Sequence, residues 1–248
     1  MDKFIIAAAQ SSSVKGNISE NISVHQKYID AAYKNNVNVV VFPELSLTAY
    51  EPDIAKEKAL YGNEDVLIPL LNSAARYNIT IITGCPIRSE NSKPYIGELI
   101  IQPSQKITIY RKRYLHAGEE NYFIPSSDRI IYRCKEENIG IAICADIDNP
   151  AHPEDLKKLG ATIYTAGVLI TPKGISDAHN KLSSYAKKHR MVTLMSNYAT
   201  ESGGYQTGGG SAIWDEEGNL IVKVKGVEET LIIARKENNV WKGKEIRI

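Results

Sequence analysis

Ile139-Gly140-Ile141-Ala142-Ile143-Cys144-Ala145-Asp146 is a short apolar run that ends on a cysteine and then turns polar. The run is rich in β-branched residues, and Asn149 and Pro150 follow it, so the pattern predicts a buried strand that ends at a turn. Cys144 then lies at the carboxyl end of a strand, where ligands bind in open α/β folds. A lone cysteine in such a run is most often a packed hydrophobic side chain. A nucleophilic role needs a base and a cation from elsewhere in the chain, because a thiol with the ordinary pKa of ~8.5 is mostly unreactive at neutral pH.

Composition limits the classes of protein that the chain can represent. Its 248 residues include 30 basic and 29 acidic side chains, for a formal net charge of +1. The charge is nearly balanced, so the composition does not predict binding to nucleic acid or to an anionic membrane. The three cysteines and five histidines show no metal-ligand spacing, so no metal or cofactor is expected, and the thiols are expected to be reduced in the cytoplasm. No apolar run approaches the ~20 residues of a membrane span, which predicts a soluble protein.

Hydrophobic periodicity predicts strands alternating with helices along the chain. Strands are predicted over 4–9, 37–42, 79–87, 95–102, 106–110, 130–134, 139–144, 161–166, 191–196, 211–214, 220–224 and 230–234, and helices over 18–35, 64–77, 154–159 and 176–190. Asn17 and Glu20 have the spacing of a capping box before the first helix. After the last predicted strand the sequence is polar and charged, with Trp241 as its one large anchor. Residues 235–248 are therefore expected to form a C-terminal tail, either an arm against a partner subunit or a loosely held terminus.

Two charged residues that follow other predicted strands are the candidates for the base and the cation. Glu44 comes after a fully apolar strand and Pro43, which holds the backbone away from helix and aims the carboxylate at the rim of the sheet. Lys112 lies between Arg111 and Arg113. Strand alternation places Lys112 on the opposite face from these two arginines, so it alone points inward.

A buried lysine needs a counter-charge, and Glu119 or Glu120 is close enough in sequence to supply it. Cys85 also ends a predicted strand and competes with Cys144 as a nucleophile. No companion motif surrounds Cys85, which favours a structural role. His25 lies on or beside the apolar stripe of the first predicted helix, and we interpret it as a packed histidine.

The segments around Glu44, Lys112 and Cys144, in this order and at this spacing, closely resemble motifs of the nitrilase, or carbon-nitrogen hydrolase, superfamily. The resemblance covers the whole chain. Residues 39–44 are similar to the strand before the family's catalytic glutamate, 110–123 to its lysine motif, 140–146 to its nucleophile elbow and 209–218 to its closing hairpin. The resemblance implies an α/β fold, a four-layer α-β-β-α sandwich, with residues 1–248 forming a single domain. It also implies pairing into homodimers or larger homo-oligomers.

The resemblance further implies a role for each candidate residue. Cys144 would attack the carbonyl carbon of an amide, or a nitrile carbon, and form a thioester. Glu44 would accept the thiol proton, pass it to the departing amine and later activate water. Lys112 and the backbone N–H of Ala145 would stabilise the oxyanion. Glu119 is preferred to its neighbour as the support for Lys112, because its position after a glycine matches the family pattern.

The chain departs from the family pattern after the nucleophile. Ala145 stands where an aromatic residue is common, and residues 147–152 replace an Arg-Phe-Pro-Glu-like continuation. This change is expected to widen or reshape the pocket, which Asp148 or His152 would fill with polar groups. Substrate contacts are predicted from four further side chains, Tyr50, Tyr122, Asn197 and Tyr198.

Two classes of function are compatible with this sequence. The first is a thiol-dependent hydrolase of a small amide or N-carbamoyl compound, with nitrile hydrolysis as the runner-up because true nitrilases are usually longer. The family branch that modifies lipoproteins carries membrane helices, and the glutamine-amidase branch of NAD synthesis carries a second domain. We expect neither of these two branches here, because the sequence shows neither feature. The second class is a catalytically idle scaffold or small-molecule binder that keeps the fold. The presence of Glu44, Lys112 and Cys144 favours the enzyme.

Overall fold

Two β-sheets carry the fold in a computed structural model that describes residues 4–90, 92–238 and 240–248. The strands are β1 (Ile5–Gln10), β2 (Val39–Val41), β3 (Thr80–Ile87), β4 (Tyr95–Ile101), β5 (Ile107–Arg111), β6 (Ile131–Cys134), β7 (Glu137–Ile143), β8 (Ile163–Gly167), β9 (Val192–Ser196), β10 (Ala212–Trp214), β11 (Leu220–Lys223), β12 (Thr230–Glu237) and β13 (Val240–Arg247). The first sheet has the order β13-β12-β1-β2-β3-β4-β5, and the second has the order β11-β10-β9-β8-β7-β6.

Helices lie on the outer side of each sheet. They are α1 (Ile18–Lys34), α2 (Ala55–Lys58), α3 (Ile68–Tyr77), α4 (Ala151–Lys158) and α5 (Ile175–His189), with short 3-10 turns at Pro52–Ile54, Asp65–Leu67, Glu119–Asn121 and Cys144–Asp148. The Asn17 side chain accepts the Glu20 backbone N–H at 3.2 Å, which confirms the predicted start of α1. Among the described residues, no helix combines the length and apolar character that crossing a membrane requires.

Three apolar cores separate four layers. One core lies between α1, α3 and the first sheet, and another lies between the two sheets. The third lies between the second sheet and α4 and α5. Amphipathic helices bury one stripe and the sheets bury both faces, which gives the α-β-β-α sandwich and confirms the predicted fold class.

The two sheets approach each other closely at one end. β1, β2 and β3 run parallel in the first sheet, as do β7, β8 and β9 in the second. At Gly167, the last residue of β8, an added Cβ would lie 2.7 Å from the Phe42 carbonyl oxygen that follows β2 and 2.2 Å from Glu98 Oε1. A side chain at this position would therefore push the strand ends apart.

The C-terminal part of the chain differs from the prediction. The sequence predicted a tail without strands after residue 234, and this prediction is wrong. β13 pairs antiparallel with β12, with Thr230 opposite Arg247 at one end and Glu237 opposite Val240 at the other. The Trp241 indole N–H donates to Glu216 Oε2 at 2.9 Å. β13 is an edge strand whose side chains are largely exposed, so it lacks the apolar alternation from which buried strands are predicted.

Candidate active site

The candidate base and cation sit where strands end, and both are buried. Glu44 follows β2 and Pro43, and its side chain is completely inaccessible to solvent. Lys112 follows β5, and its backbone N–H donates to the Ile96 carbonyl at 2.8 Å. Its side chain is also completely buried, whereas Arg111 and Arg113 stay partly exposed. The alternation along the strand therefore turns Lys112 into the interior.

The Lys112 ammonium lies between two carboxylates. Nζ donates to Glu44 Oε1 at 2.7 Å and lies 2.9 Å from each oxygen of Glu119. Glu119 is only 4% exposed, while Glu120 is exposed and accepts the Gly118 backbone N–H. Glu119, not its neighbour, is therefore the second partner of Lys112.

Glu119 is itself fixed by two further donors. The Tyr50 hydroxyl donates to its Oε1 at 2.7 Å, and the His116 backbone N–H donates to its Oε2 at 2.8 Å. Both oxygens are thus shared between Lys112 and a neutral donor. Such a fully bonded carboxylate holds the ammonium in one position.

Cys144 begins the 3-10 turn that follows β7, with a φ of 41°. A non-glycine residue in this left-handed region costs about 1–2 kcal/mol, and such strain is often found at functional sites. The residue is partly exposed, and its thiol donates to the Leu169 carbonyl oxygen at 3.6 Å. The turn places the sulfur at the end of the strand, where it lines a cavity.

Burial and charge shift the pKa values of these groups. Burial raises the pKa of Glu44 to about 7, with Glu119 adding to this effect and Lys112 opposing it. Burial works against the charge of Lys112, but the neighbouring Glu44, Cys144 and Glu119 outweigh it and raise the Lys112 pKa. Burial, followed by the charge of Glu44, raises the pKa of Cys144 well above its ordinary value. At neutral pH the resting sulfur is therefore a thiol, and its nucleophilic use requires a base.

Asp146 joins the Cys144 segment to the Lys112 segment, a role that the sequence analysis missed. Its Oδ2 accepts the Ile143 N–H at 2.9 Å and the Tyr110 hydroxyl at 2.6 Å. Its Oδ1 accepts the backbone N–H groups of Arg113 and Tyr114 at 3.2 and 3.0 Å. The position of Asp146, two residues after Cys144, was the available signal, but these four donors come together only in the folded chain.

Another buried carboxyl group, that of Glu98, lies between the sheets. Glu98 on β4 is 1% exposed, and neither of its oxygens has a hydrogen-bond partner among the residues that the structure describes. Burial, with the nearby charges of Glu44 and Asp146, raises the Glu98 pKa well above its ordinary value. Sequence patterns did not predict this buried group, because a glutamate in a strand is usually on the solvent face.

A cavity of about 330 Å³ reaches the candidate catalytic groups. Glu44, Glu119, Cys144 and Tyr50 line it. Its other lining residues include the apolar Ile147, Leu169, Ile170 and Ala178, and also Asp148 and Asp177, which are more than half exposed. Three of the four predicted catalytic side chains, Glu44, Glu119 and Cys144, therefore line one space of the size that a small molecule occupies. The fourth, Lys112, lies behind Glu44 and Glu119 and bonds to both.

The other residues predicted at the site are placed differently. Tyr122 lines a neighbouring cavity of about 600 Å³ that shares Tyr50, His116 and Glu119 with the first. The Asn197 amide bonds to the backbone of Ile170 and Gly209. The Tyr198 hydroxyl donates to the Glu44 carbonyl oxygen at 2.6 Å. Asn197 and Tyr198 are fully buried and support the backbone of the site without lining either cavity.

The predicted polar filling of the pocket is contributed by Asp148 alone. His152 is buried and contacts the hydroxyls of Tyr110 and Tyr164 at 2.9 and 3.0 Å, so it belongs to the polar cluster around Asp146. Its side chain is turned into this cluster because α4 begins at Ala151 and buries that face against the sheet.

The competing cysteine and the helix histidine are both buried away from the cavity. Cys85 on β3 is fully buried, and burial raises its pKa. His25 contacts the hydroxyls of Ser46 and Thr83, and burial lowers its pKa to about 4. Among the described residues, no group of three or more His, Cys, Asp and Glu side chains is arranged to hold a metal ion.

Comparison with known proteins agrees with this fold. The carbon-nitrogen hydrolase family model matches residues 5–241, so the chain belongs to the carbon-nitrogen hydrolase family, as its motifs predicted. A glutamine-dependent NAD(+) synthetase from Thermotoga maritima is 23% identical over 242 residues, which are 94% of this chain and 42% of the synthetase. The chain thus spans less than half the length of that relative.

Solved structures share the architecture. A mutant of the amidase from Nesterenkonia sp. AN1, in complex with butyramide, has a TM-score of 0.87 at 17% identity, covering 95% of this chain and 92% of the amidase. Nit3 from Saccharomyces cerevisiae, a member of the nitrilase superfamily, has a TM-score of 0.86 at 21% identity, covering 96% and 91%. At these identities the similarity establishes the fold.

Proposed function

We propose that this protein is a thiol-dependent hydrolase that cleaves the carbon-nitrogen bond of a small non-peptide amide or N-carbamoyl compound. The observation that carries the proposal is the buried Lys112 ammonium, bonded to Glu44 and Glu119 at the cavity that also exposes Cys144. A base, a cation and a thiol at the start of a strained turn are the groups that covalent acyl transfer needs.

The first half of the reaction forms a thioester. Glu44 accepts the Cys144 proton as Sγ attacks the carbonyl carbon, and the carbonyl π electrons move to oxygen. The backbone N–H of Ala145 and one Lys112 N–H donate to this oxyanion; one such donor lowers the barrier by roughly 2.7–4 kcal/mol. Lys112 has three N–H groups, so a donor remains when one bonds Glu44 and another is shared by the oxygens of Glu119. Glu44 then protonates the nitrogen, and the amine leaves as the C–N bond breaks.

The second half hydrolyses the thioester. Glu44, again ionised, takes a proton from water, and the resulting hydroxide adds to the thioester carbon. The C–S bond breaks, the acid is released and the sulfur recovers its proton. The Glu44 pKa of about 7 suits both directions of transfer, because a group that gains and loses a proton in one cycle works best near the ambient pH.

Primary amides are the substrates that we place first. A mutant of the amidase with a similar fold has a structure in complex with butyramide, and the cavity here is of small-molecule size. The synthetase relative is named as glutamine-dependent, which supports the side-chain amide of glutamine as a second candidate. Nitriles and a catalytically idle binder remain the alternatives.

The test is ammonia release from a panel of aliphatic amides, glutamine, N-carbamoyl amines and nitriles. Turnover of at least one amide or carbamoyl compound is expected, with trapping of an acyl group on Cys144 detected by mass spectrometry. Cys144→Ser is expected to fold and to lose turnover, because an alcohol is a far weaker nucleophile than a thiol.

Cys134→Ser is the matched control, because Cys134 is also partly exposed but lies on β6 outside the cavity. Full activity of Cys144→Ser would reject the mechanism. Selective use of nitriles would favour the runner-up. No turnover of any compound, together with iodoacetamide labelling of Cys144 no faster than that of Cys134, would favour the idle binder.

The family resemblance also supports three proposals about the setting of the protein. These are a homodimer or larger homo-oligomer, a cytoplasmic location and a single domain over residues 1–248. Light scattering after size-exclusion chromatography, cell fractionation and limited proteolysis test them in turn. A monomer at micromolar concentration would reject the first of them.

A further inference from the structure

Two cavities share a partition at the candidate active site. The cavity of about 330 Å³ that reaches Cys144 and the neighbouring cavity of about 600 Å³ have four lining residues in common, Tyr50, His116, Glu119 and Tyr205. A residue that lines two spaces lies between them, so these four residues form the partition. The Tyr50 hydroxyl and the His116 backbone N–H both bond to the Glu119 carboxylate, which fixes three of the four in place.

Tyr205 is the member of the partition that stays outside the hydrogen bonds of the catalytic groups. Its ring packs edge-on against the Tyr50 ring, with 6.2 Å between the ring centroids, and the residue is 52% exposed. None of the hydrogen bonds that hold Lys112 and Glu119 involves Tyr205. Loss of this ring therefore opens the partition and leaves the bonds of the catalytic groups intact.

A tight turn gives the Tyr205 ring its position. Ser202 and Tyr205 exchange backbone hydrogen bonds of 3.2 and 2.9 Å, and Gly203 and Gly204 between them have φ of 59° and 75°. Two consecutive residues with positive φ are typical of a type I′ turn, which favours glycine at both positions. The Tyr50 backbone N–H donates to Ser202 Oγ at 2.9 Å, so the turn is fastened to the partition.

The chemistry of the site decides which part of a substrate faces the partition. In the proposed reaction Glu44 protonates the leaving nitrogen, so this nitrogen lies on the Glu44 side of the carbonyl carbon. Glu119 of the partition is on the same side, because Lys112 Nζ bonds to both carboxylates at 2.7 and 2.9 Å. The acyl chain then extends the other way, along apolar lining residues such as Leu169 and Ile170.

We propose that Tyr205 is a specificity-determining residue, because its ring closes the leaving-group side of the site and restricts hydrolysis to amides with an unsubstituted nitrogen. An NH2 group fits in front of the partition, whereas an N-alkyl group points into it. Removal of the ring joins the two cavities, so that the larger one accommodates the alkyl group. This inference rests on the proposed amide hydrolysis for its reaction, but the closure itself does not depend on that proposal.

The first experiment compares butyramide with N-propylbutyramide, which have the same acyl group and release the same acid. The wild type is expected to have the higher kcat/KM for butyramide. Tyr205→Ala is expected to raise the ratio of kcat/KM for the N-propyl amide to that for butyramide by about tenfold or more, because space for one methylene group alone is worth about tenfold. Tyr205→Leu is expected to give an intermediate ratio, and Tyr205→Phe, which keeps the ring, to keep the wild-type ratio.

Tyr122→Ala is the matched control. Tyr122 has a similar exposed fraction, 46%, but lines only the larger of the two cavities, so its removal is expected to leave the ratio unchanged. Equal hydrolysis of both amides by the wild type would overturn the proposal, as would a wild-type ratio in both Tyr205→Ala and Tyr205→Leu. A ratio in Tyr205→Phe as high as in Tyr205→Ala would also overturn it, because the ring would then not be the barrier.

A second experiment separates this inference from the proposed function. Iodoacetamide and N-propyl iodoacetamide both alkylate Cys144 whether or not any amide is hydrolysed, since the C–S bond forms as iodide leaves. The ratio of their rates is measured on the Cys144 peptide by mass spectrometry, with the partly exposed Cys134 of the same protein as the internal reference. Tyr205→Ala and Tyr205→Leu are expected to speed the N-propyl reagent relative to iodoacetamide at Cys144 and not at Cys134. An unchanged ratio in both variants would reject the closure, whereas a changed ratio without turnover of any amide would reject only the hydrolase.

Discussion

The Tyr110 hydroxyl donates a 2.6 Å hydrogen bond to Asp146 Oδ2 in the buried space beneath the candidate site. Tyr110 lies on β5, two residues before Lys112, and Asp146 lies two residues after Cys144. The bond therefore connects the segment that carries the cation to the segment that carries the thiol, across the two sheets. The relative position of sulfur and ammonium depends on this connection.

Tyr110→Phe is expected to destabilise the protein by about 1–3 kcal/mol, because a buried carboxylate oxygen loses a donor. The kcat is expected to fall more than KM rises, since the change acts on the alignment of Lys112 and Cys144 and does not touch the cavity wall. Urea unfolding and steady-state kinetics measure the two effects.

Tyr77→Phe is the control for this change, because Tyr77 also donates to an aspartate, Asp30, at 2.9 Å but on the surface. Little change in stability or activity is expected there. A Tyr110→Phe variant as stable and active as the wild type would show that the backbone donors alone hold Asp146.

The pH dependence of catalysis is expected to report on Glu44. Its pKa is raised to about 7, with burial as the largest cause, and only the ionised form accepts the thiol proton. The value of kcat/KM should therefore decrease by about tenfold per unit as the pH falls below this pKa.

Glu119→Gln should move this acid limb to lower pH, because it removes a negative charge that raises the Glu44 pKa. Glu120→Gln, the exposed neighbour, should leave the profile in place. The measurement is kcat/KM against pH for all three proteins. An acid limb that moves to higher pH in Glu119→Gln would contradict the charge arrangement described for Lys112.

Glu98→Gln is expected to flatten the dependence of stability on pH. In the unfolded chain a glutamate ionises near pH 4.5, whereas folding raises the Glu98 pKa well above this value. Between the two pKa values the folded state holds one proton more, so stability falls as pH rises. Glutamine keeps the shape and has no proton to lose, so the variant should gain stability relative to the wild type from about pH 5 upward.

Urea unfolding at a series of pH values measures the difference. Glu57→Gln, on the exposed side of α2, serves as the control and should keep the wild-type slope. A Glu98→Gln variant with the same slope as the wild type would mean that Glu98 is ionised in the folded protein.

Trp241→Ala is expected to cost about 1–2 kcal/mol of stability and to leave turnover unchanged. The indole bonds Glu216 and lies under the Lys236 ammonium, 5.4 Å from the ring centre, so it fastens β13 to the hairpin of β10 and β11. Val240→Ala, a change at an exposed residue of the same strand, is the control. Equal stability of the two variants would show that strand pairing alone retains β13.

The buried strands, the long helices and the ends of strands that carry Glu44, Lys112 and Cys144 could be predicted, because burial on both faces produces apolar runs that stop where polar residues begin. β13 could not, since an edge strand with exposed side chains has the composition of a loop. The four donors around Asp146 and the burial of Glu98 depend on residues far apart in sequence. Their contacts depend on the packing of one sheet on the other, which local patterns do not encode.

Gly167 limits how this scaffold can diversify. A single methyl group there would collide with the Phe42 carbonyl and the Glu98 carboxyl and would separate the strand ends that hold the base and the thiol together. In a saturation mutagenesis screen for turnover, this position would rank beside the nucleophile although it performs no chemistry. Residues of the outer wall of the pocket can change during evolution, but the close contact of the two sheets at Gly167 leaves almost no room for any side chain at this position.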